Sequence, residues 1–129
     1  MTFRRLLAFA WFALALPIVT GAQENSQKAT VIVASKPFGE SFILAEMFAQ
    51  LLEARGFRVD RRPGMGATEV AFAALRTNGI DVYPEYTGTG LLAILHKDPV
   101  SDPATVFGIV STEFLTRYKV RWLPQLGFE

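Results

Sequence analysis

Residues 83–90 read Tyr83-Pro84-Glu85-Tyr86-Thr87-Gly88-Thr89-Gly90, which puts two tyrosines, two threonines and two glycines into eight positions. Tyrosine faces attract cations through the ring quadrupole, and clustered rings recognise quaternary ammonium groups, each desolvated contact being worth about 2 kcal/mol or more. Tyr83 has a plain alternative as a ring packed on a sheet. Lys36, in Ser35-Lys36-Pro37-Phe38, follows an apolar run and reads either as a solvated lysine or as a cation at the same sheet edge.

A second candidate is the turn Gly64-Met65-Gly66-Ala67-Thr68-Glu69. Lying between a strand and a helix, it has the setting in which backbone amides and a helix dipole receive an anion. The dinucleotide fingerprint fails, because its third glycine is replaced by Glu69 and no Gly-Lys-Ser/Thr follows. Gly66, Ala67 and Thr68 therefore read as a structural turn or as backbone contacts to a ligand. Catalysis has little support. The single histidine, His96, sits beside Lys97 in a loop and is expected at the surface, and the sequence offers no obvious general base near Ser35 or Ser41. One histidine with carboxylates alone does not make a typical zinc site. Asp81 and Glu85, four residues apart across a strand end and a proline, are expected to hydrogen-bond within the turn rather than to pair as acid and base.

The elements that must carry these residues are legible in the periodicity. Ala29 to Ala34 is a β-branched apolar run without alternation, the pattern of a strand buried on both faces of a parallel sheet. From Glu40 the period changes, and Ile43, Leu44, Met47, Phe48, Leu51 and Leu52 predict the buried stripe of a helix stopped by Gly56. Phe57 to Arg61 predicts a half-buried second strand, Thr68 to Thr77 a second helix, and Ile80 to Tyr83 a third strand ending at Pro84. A glycine-broken helix follows near Thr89 to Leu95. The next helix is capped by Asp102 with Pro103 at its first position and carries Val106, Phe107, Val110, Phe114 and Leu115 inward; Val120 to Trp122 is expected to begin another strand. Strand and helix alternating through short connections give an α/β fold, a parallel sheet with helices on both faces. Ligands of such sheets bind beyond the carboxyl ends of the strands, where residues 83–90 fall.

Composition narrows the classes. The 129 residues are 50% hydrophobic, with 13 basic against 12 acidic groups and no cysteine. One small globular domain is the most this length supports, and a charge of +1 leaves no footprint for nucleic acid. The absence of cysteine removes disulfides, a catalytic thiol and lipid attachment. Arg4 and Arg5, the apolar run Leu6 to Val19 and the small residues Thr20, Gly21 and Ala22 predict a signal peptide cleaved after Ala22. Its roughly 14 apolar residues, broken by Pro17, fall short of the roughly 20 that span a bilayer. Residues 23–28 then form a polar leader, and a soluble exported chain without disulfide or anchor suits the periplasm.

With these residues in place, the chain resembles the substrate-binding proteins of ABC transporters for glycine betaine, choline and related osmoprotectants. The resemblance is carried in order by Ser35-Lys36-x-Phe38-x-Glu40, Ile43 to Leu52, Gly64-x-Gly66-Ala67-Thr68, and Ile80-Asp81 with Tyr83 to Thr89. It implies a type II periplasmic-binding-protein fold of two lobes that close by a hinge, with no cofactor and no catalysed reaction. The implied partners are a quaternary ammonium ligand and a membrane permease powered by a cytoplasmic ATPase. By position, Tyr86 matches a tyrosine of the family's cation box, and Lys36 and Thr89 match groups that hold the ligand's carboxylate; Tyr83, Gly66, Ala67 and Thr68 are cleft neighbours. Ser41 departs from the glutamine common there. Residues 29–129 correspond to a first lobe, incomplete, with the second lobe missing; this predicts weak or no ligand binding, marginal stability and an open sheet edge.

Other classes remain open from sequence. An exported anion-binding module or enzyme on the same scaffold would use Lys36 and the Gly64 to Thr68 turn on a phosphate or carboxylate. A degenerate truncated gene product would have no present function.

Overall fold

The computed structural model describes residues 29–127, so the predicted signal peptide and polar leader lie outside the described residues. Strand β1 (Thr30–Ala34) pairs in parallel with β2 (Arg58–Arg62), Thr30 opposite Arg58 and Ala34 opposite Arg62. Helix α1 (Gly39–Glu53) makes the crossover between them. Helix α2 (Thr68–Arg76) follows β2, and the chain returns along the other side of β1 at residues 80–83. The result is α/β: a parallel sheet flanked by helices.

The predicted third strand shrinks to one parallel bridge between Val33 and Val82. The Val82 carbonyl accepts from the Ala34 amide at 2.9 Å, and the Asp81 amide donates to Ile32 at 2.9 Å. A longer ladder is blocked on both sides. The Ile32 amide donates to the Asp81 carboxylate at 2.7 Å instead of to a backbone carbonyl, and Pro84 has no N–H to offer. The Asp81 carboxylate is thus spent on the β1 backbone, 49 residues away in the chain, and not within its own turn as its spacing predicts.

Helix α1 bears out half of its predicted stripe, with Leu44 buried and Phe48 and Leu52 half-buried. Ser41, Leu44, Ala45 and Ala49 are its buried residues, whereas Ile43 is 63% exposed and Met47 and Leu51 are also exposed. Small side chains let the helix axis lie close on the sheet. Its orientation is further set by Arg61 of β2, which donates to Glu46 at 2.8 Å and to Glu53 at 2.7 Å.

Beyond β1 the chain forms α3 (Thr87–Thr89), one turn that runs into a π-helical turn at Gly90–Ile94, and then α4 (Pro103–Tyr118). The predicted glycine-broken helix is this α3–π unit, in which the Leu95 amide reaches the Gly90 carbonyl at 3.0 Å. Helix α4 begins as expected, with Asp102 accepting from the Thr105 amide at 2.8 Å and Pro103 in the first turn. Its inward residues are Val106, Val110 and Phe114; Phe107 is half-buried, and Leu115 is exposed rather than buried.

The core joins Phe72 of α2, Leu91, Ile94 and Leu95 of the π turn, and Val106, Val110 and Phe114 of α4. Phe114 meets Phe72, Tyr118 and Trp122 edge to face at 5.3–5.6 Å between centroids. Residues 120–122 form no strand among the described residues. Lys119 takes a left-handed conformation at the end of α4, and Trp122 folds back onto Phe114. Gly90 is required there: a Cβ on it would stand 2.7 Å from Trp122 Cζ2. This packing fixes the start of the α3–π unit, and with it Tyr86.

Candidate ligand-binding site

Lys36 emerges from the buried end of β1, and its backbone amide donates to Ser41 Oγ of α1 at 2.9 Å. Ser41 therefore has a structural task at the site. A buried ammonium needs a counter-charge, and Lys36 Nζ finds it in Glu85 Oε1. The same oxygen accepts from the Tyr86 amide at 2.9 Å, and Thr68 Oγ1 at the start of α2 accepts from Lys36 Nζ at 3.4 Å. Glu85 Oε2 is buried and has no hydrogen-bond partner among the described residues.

Two rings stand over this pair. Phe38 and Tyr86 lie nearly parallel, 6.4 Å between centroids, and Lys36 Nζ is 5.4 Å from the first and 5.6 Å from the second. Both distances fall within cation–π range. The Glu40 carboxylate against the Tyr86 hydroxyl, helped by desolvation, pushes that phenol above its ordinary value. Tyr83 is pushed up chiefly by burial and secondly by the charge of Glu85. Both tyrosines are therefore neutral rings near pH 7.

The sites expected from sequence divide into two groups. Tyr83, Tyr86 and Thr89 line a hollow of about 1230 Å³, together with Phe38, Glu40, Ser41 and Glu85. Lys36 and Thr68 lie behind them, joined to the hollow through Glu85. Gly66 and Ala67 lead into α2, and Gly66 has φ +129°, with Val70 Cβ 3.0 Å from where its own Cβ would stand. Ahead of them the turn is tied to β1, since the Gly64 amide donates to Ser35 Oγ and the Met65 amide to the Ser35 carbonyl, both at 2.9 Å. His96 is exposed, as expected.

Sequence reasoning missed Glu85 as the partner of Lys36, and Phe38 and Glu40 as neighbours of Tyr86. The signal for Glu85 was available. A lysine held at the end of a buried strand demands a carboxylate, and Glu85 is adjacent to the tyrosine assigned to the same edge.

This fold and this aromatic, charge-paired edge are those of an α/β ligand-binding domain. Residues 29–129 match OpuAC, the substrate binding domain of the ABC-type glycine betaine transport system, and the chain belongs to that family. It is similar to the ergothioneine transport permease/ergothioneine binding protein EgtU of Helicobacter pylori (strain G27), with 28% identity over 98% of this chain and 23% of that protein. A glycine-betaine-binding protein of Pseudomonas aeruginosa is 35% identical over 64% of this chain and 26% of its own length. The carnitine transport binding protein OpuCC of Listeria monocytogenes is 28% identical over 81% and 34%. Among solved structures, apo YehZ from Escherichia coli superposes with a TM-score of 0.68 at 27% identity, covering 73% of this chain and 34% of that one. The chain thus spans about a quarter to a third of the length of the curated relatives it matches.

Proposed function

We propose that this protein is the periplasmic substrate-binding component of an ABC importer, taking up glycine betaine, choline or a related quaternary ammonium osmoprotectant. It captures the ligand, catalyses nothing, and delivers it to a membrane permease powered by a cytoplasmic ATPase. A signal peptide ending at Ala22 directs its export. Residues 29–129 supply the first lobe of the cleft. Tyr86 offers its face to the trimethylammonium group; Lys36 and Thr89 hold a carboxylate where the ligand has one; Tyr83, Gly66, Ala67 and Thr68 shape the surroundings.

The observation that carries this reading is the Tyr86 ring, which already has an ammonium 5.6 Å from its centroid and Phe38 stacked beside it. The names of the relatives, which mention glycine betaine, carnitine and ergothioneine, support the same ligand class. The anion-binding reading has less in its favour. The Gly64 and Met65 amides are taken by Ser35, and Lys36 is already neutralised by Glu85. Calorimetric titration of the protein, as its native gene encodes it, tests the choice. Heat from choline or glycine betaine that persists in excess phosphate is expected; phosphate binding without any response to either quaternary ammonium compound would reverse the assignment.

A further inference from the structure

The Lys36 ammonium that is to meet a ligand carboxylate already holds one of the protein's own. Glu85 is among the residues lining the hollow, whereas Lys36 is not. Both side chains are more than nine-tenths buried. Glu85 Oε1 is anchored twice, by Lys36 Nζ and by the Tyr86 amide, while Oε2 has no hydrogen-bond partner among the described residues. A ligand carboxylate reaching for Lys36 therefore meets the Glu85 carboxylate first, and two like charges sharing one ammonium repel each other. A ligand that carries only the cation meets the opposite field. Around the Phe38–Tyr86 pair stand Glu40, Glu85 and Lys36, one positive charge against two negative; Asp81 also lines the hollow, as do Lys119 and Arg121 from the segment after α4.

We propose that Glu85 is a specificity-determining residue, an internal competitor for Lys36 that penalises zwitterionic ligands relative to plain quaternary ammonium cations. The inference rests on the quaternary ammonium reading and deepens it. A zwitterion has to displace Glu85 from Lys36 or share the ammonium with it. Choline leaves the pair intact and gains the carboxylate's field. Glu85→Gln keeps the shape and a neutral acceptor for Lys36 and the Tyr86 amide, but removes the competing charge.

The test compares choline and glycine betaine by calorimetry on the protein its native gene encodes, wild type beside Glu85→Gln. The expected result is a shift of about tenfold or more in the affinity ratio toward glycine betaine, a change of one decade in relative Kd. An unchanged ratio, or a shift toward choline, would overturn the proposal. A wild-type protein that binds neither compound would instead defeat the ligand class itself. A second readout needs no variant: the Lys36 ¹⁵Nζ resonance is expected to move on saturation with glycine betaine and to stay in place with choline. Equal movement with both, or movement with neither, would also overturn it.

Discussion

Lys36 and Glu85, 49 residues apart in the chain, form an ion pair with side chains only 8% and 5% exposed. The pair locks the end of β1 to the segment that carries Tyr86, so the site and the sheet share one electrostatic tie. Removing one partner of a buried pair leaves an uncompensated charge and typically costs about 3–5 kcal/mol, whereas an apolar replacement of both is often close to neutral. Lys36→Met is therefore expected to lower the urea midpoint strongly, and Lys36→Met with Glu85→Leu to recover most of the loss. A double variant no better than the single one would show that the two residues are not coupled.

Gly90→Ala probes the floor beneath Tyr86. The new methyl would lie 2.7 Å from Trp122 Cζ2, so that ring must shift, whereas Phe114 Cζ at 3.4 Å stays at the edge of ordinary contact. Overpacking of this kind costs about 1–3 kcal/mol. Equilibrium unfolding should register that loss, and Trp122 fluorescence should shift as the ring moves. Unaltered stability and emission would place the Trp122 segment elsewhere in solution.

Acid should loosen α1 from β2. Arg61 bridges Glu46 and Glu53, and its hydrogen bond, aided by that of Gln50, lowers Glu46 from 4.5 to about 2. A carboxylate lowered by folding stabilises fully above its unfolded value and loses that contribution as pH falls through the folded one. The thermal midpoint should thus decline as pH drops from 4.5 toward 2, less steeply in Glu46→Gln. Both partners are exposed to solvent, so about 1 M salt should flatten the wild-type curve as well. Identical acid profiles for the two proteins would remove Arg61–Glu46 from the account.

The order β1-α1-β2-α2, the Asp102 cap and the inward faces of Val106, Val110 and Phe114 were legible because each follows from a local signal: period, cap or proline position. The face of α1 was legible only in part, through Leu44, Phe48 and Leu52. Apolar spacing picks out Ile43, Met47 and Leu51, but close approach of helix to sheet selects the small residues Ser41, Ala45 and Ala49, and Arg61 turns Glu46 and Glu53 toward β2. The third strand was overextended for a similar reason, since Asp81 uses its side chain where a ladder would use backbone. At the site, residues 83–90 announced themselves by composition. The contacts of Tyr86 with Phe38 and Glu40, and that of Lys36 with Glu85, are tertiary, and single-residue chemistry gives only their demand for partners.

The central claim is that the face of Tyr86 receives a quaternary ammonium cation. Its most direct measurement is the calorimetric affinity for choline and glycine betaine of the wild type, Tyr86→Phe and Tyr86→Ala. Loss of a cation–π contact of about 2 kcal/mol predicts at least a tenfold weaker Kd in Tyr86→Ala, with Tyr86→Phe retaining most of the affinity because its ring remains. Wild-type affinity in Tyr86→Ala would contradict the account and take Tyr86 out of the site.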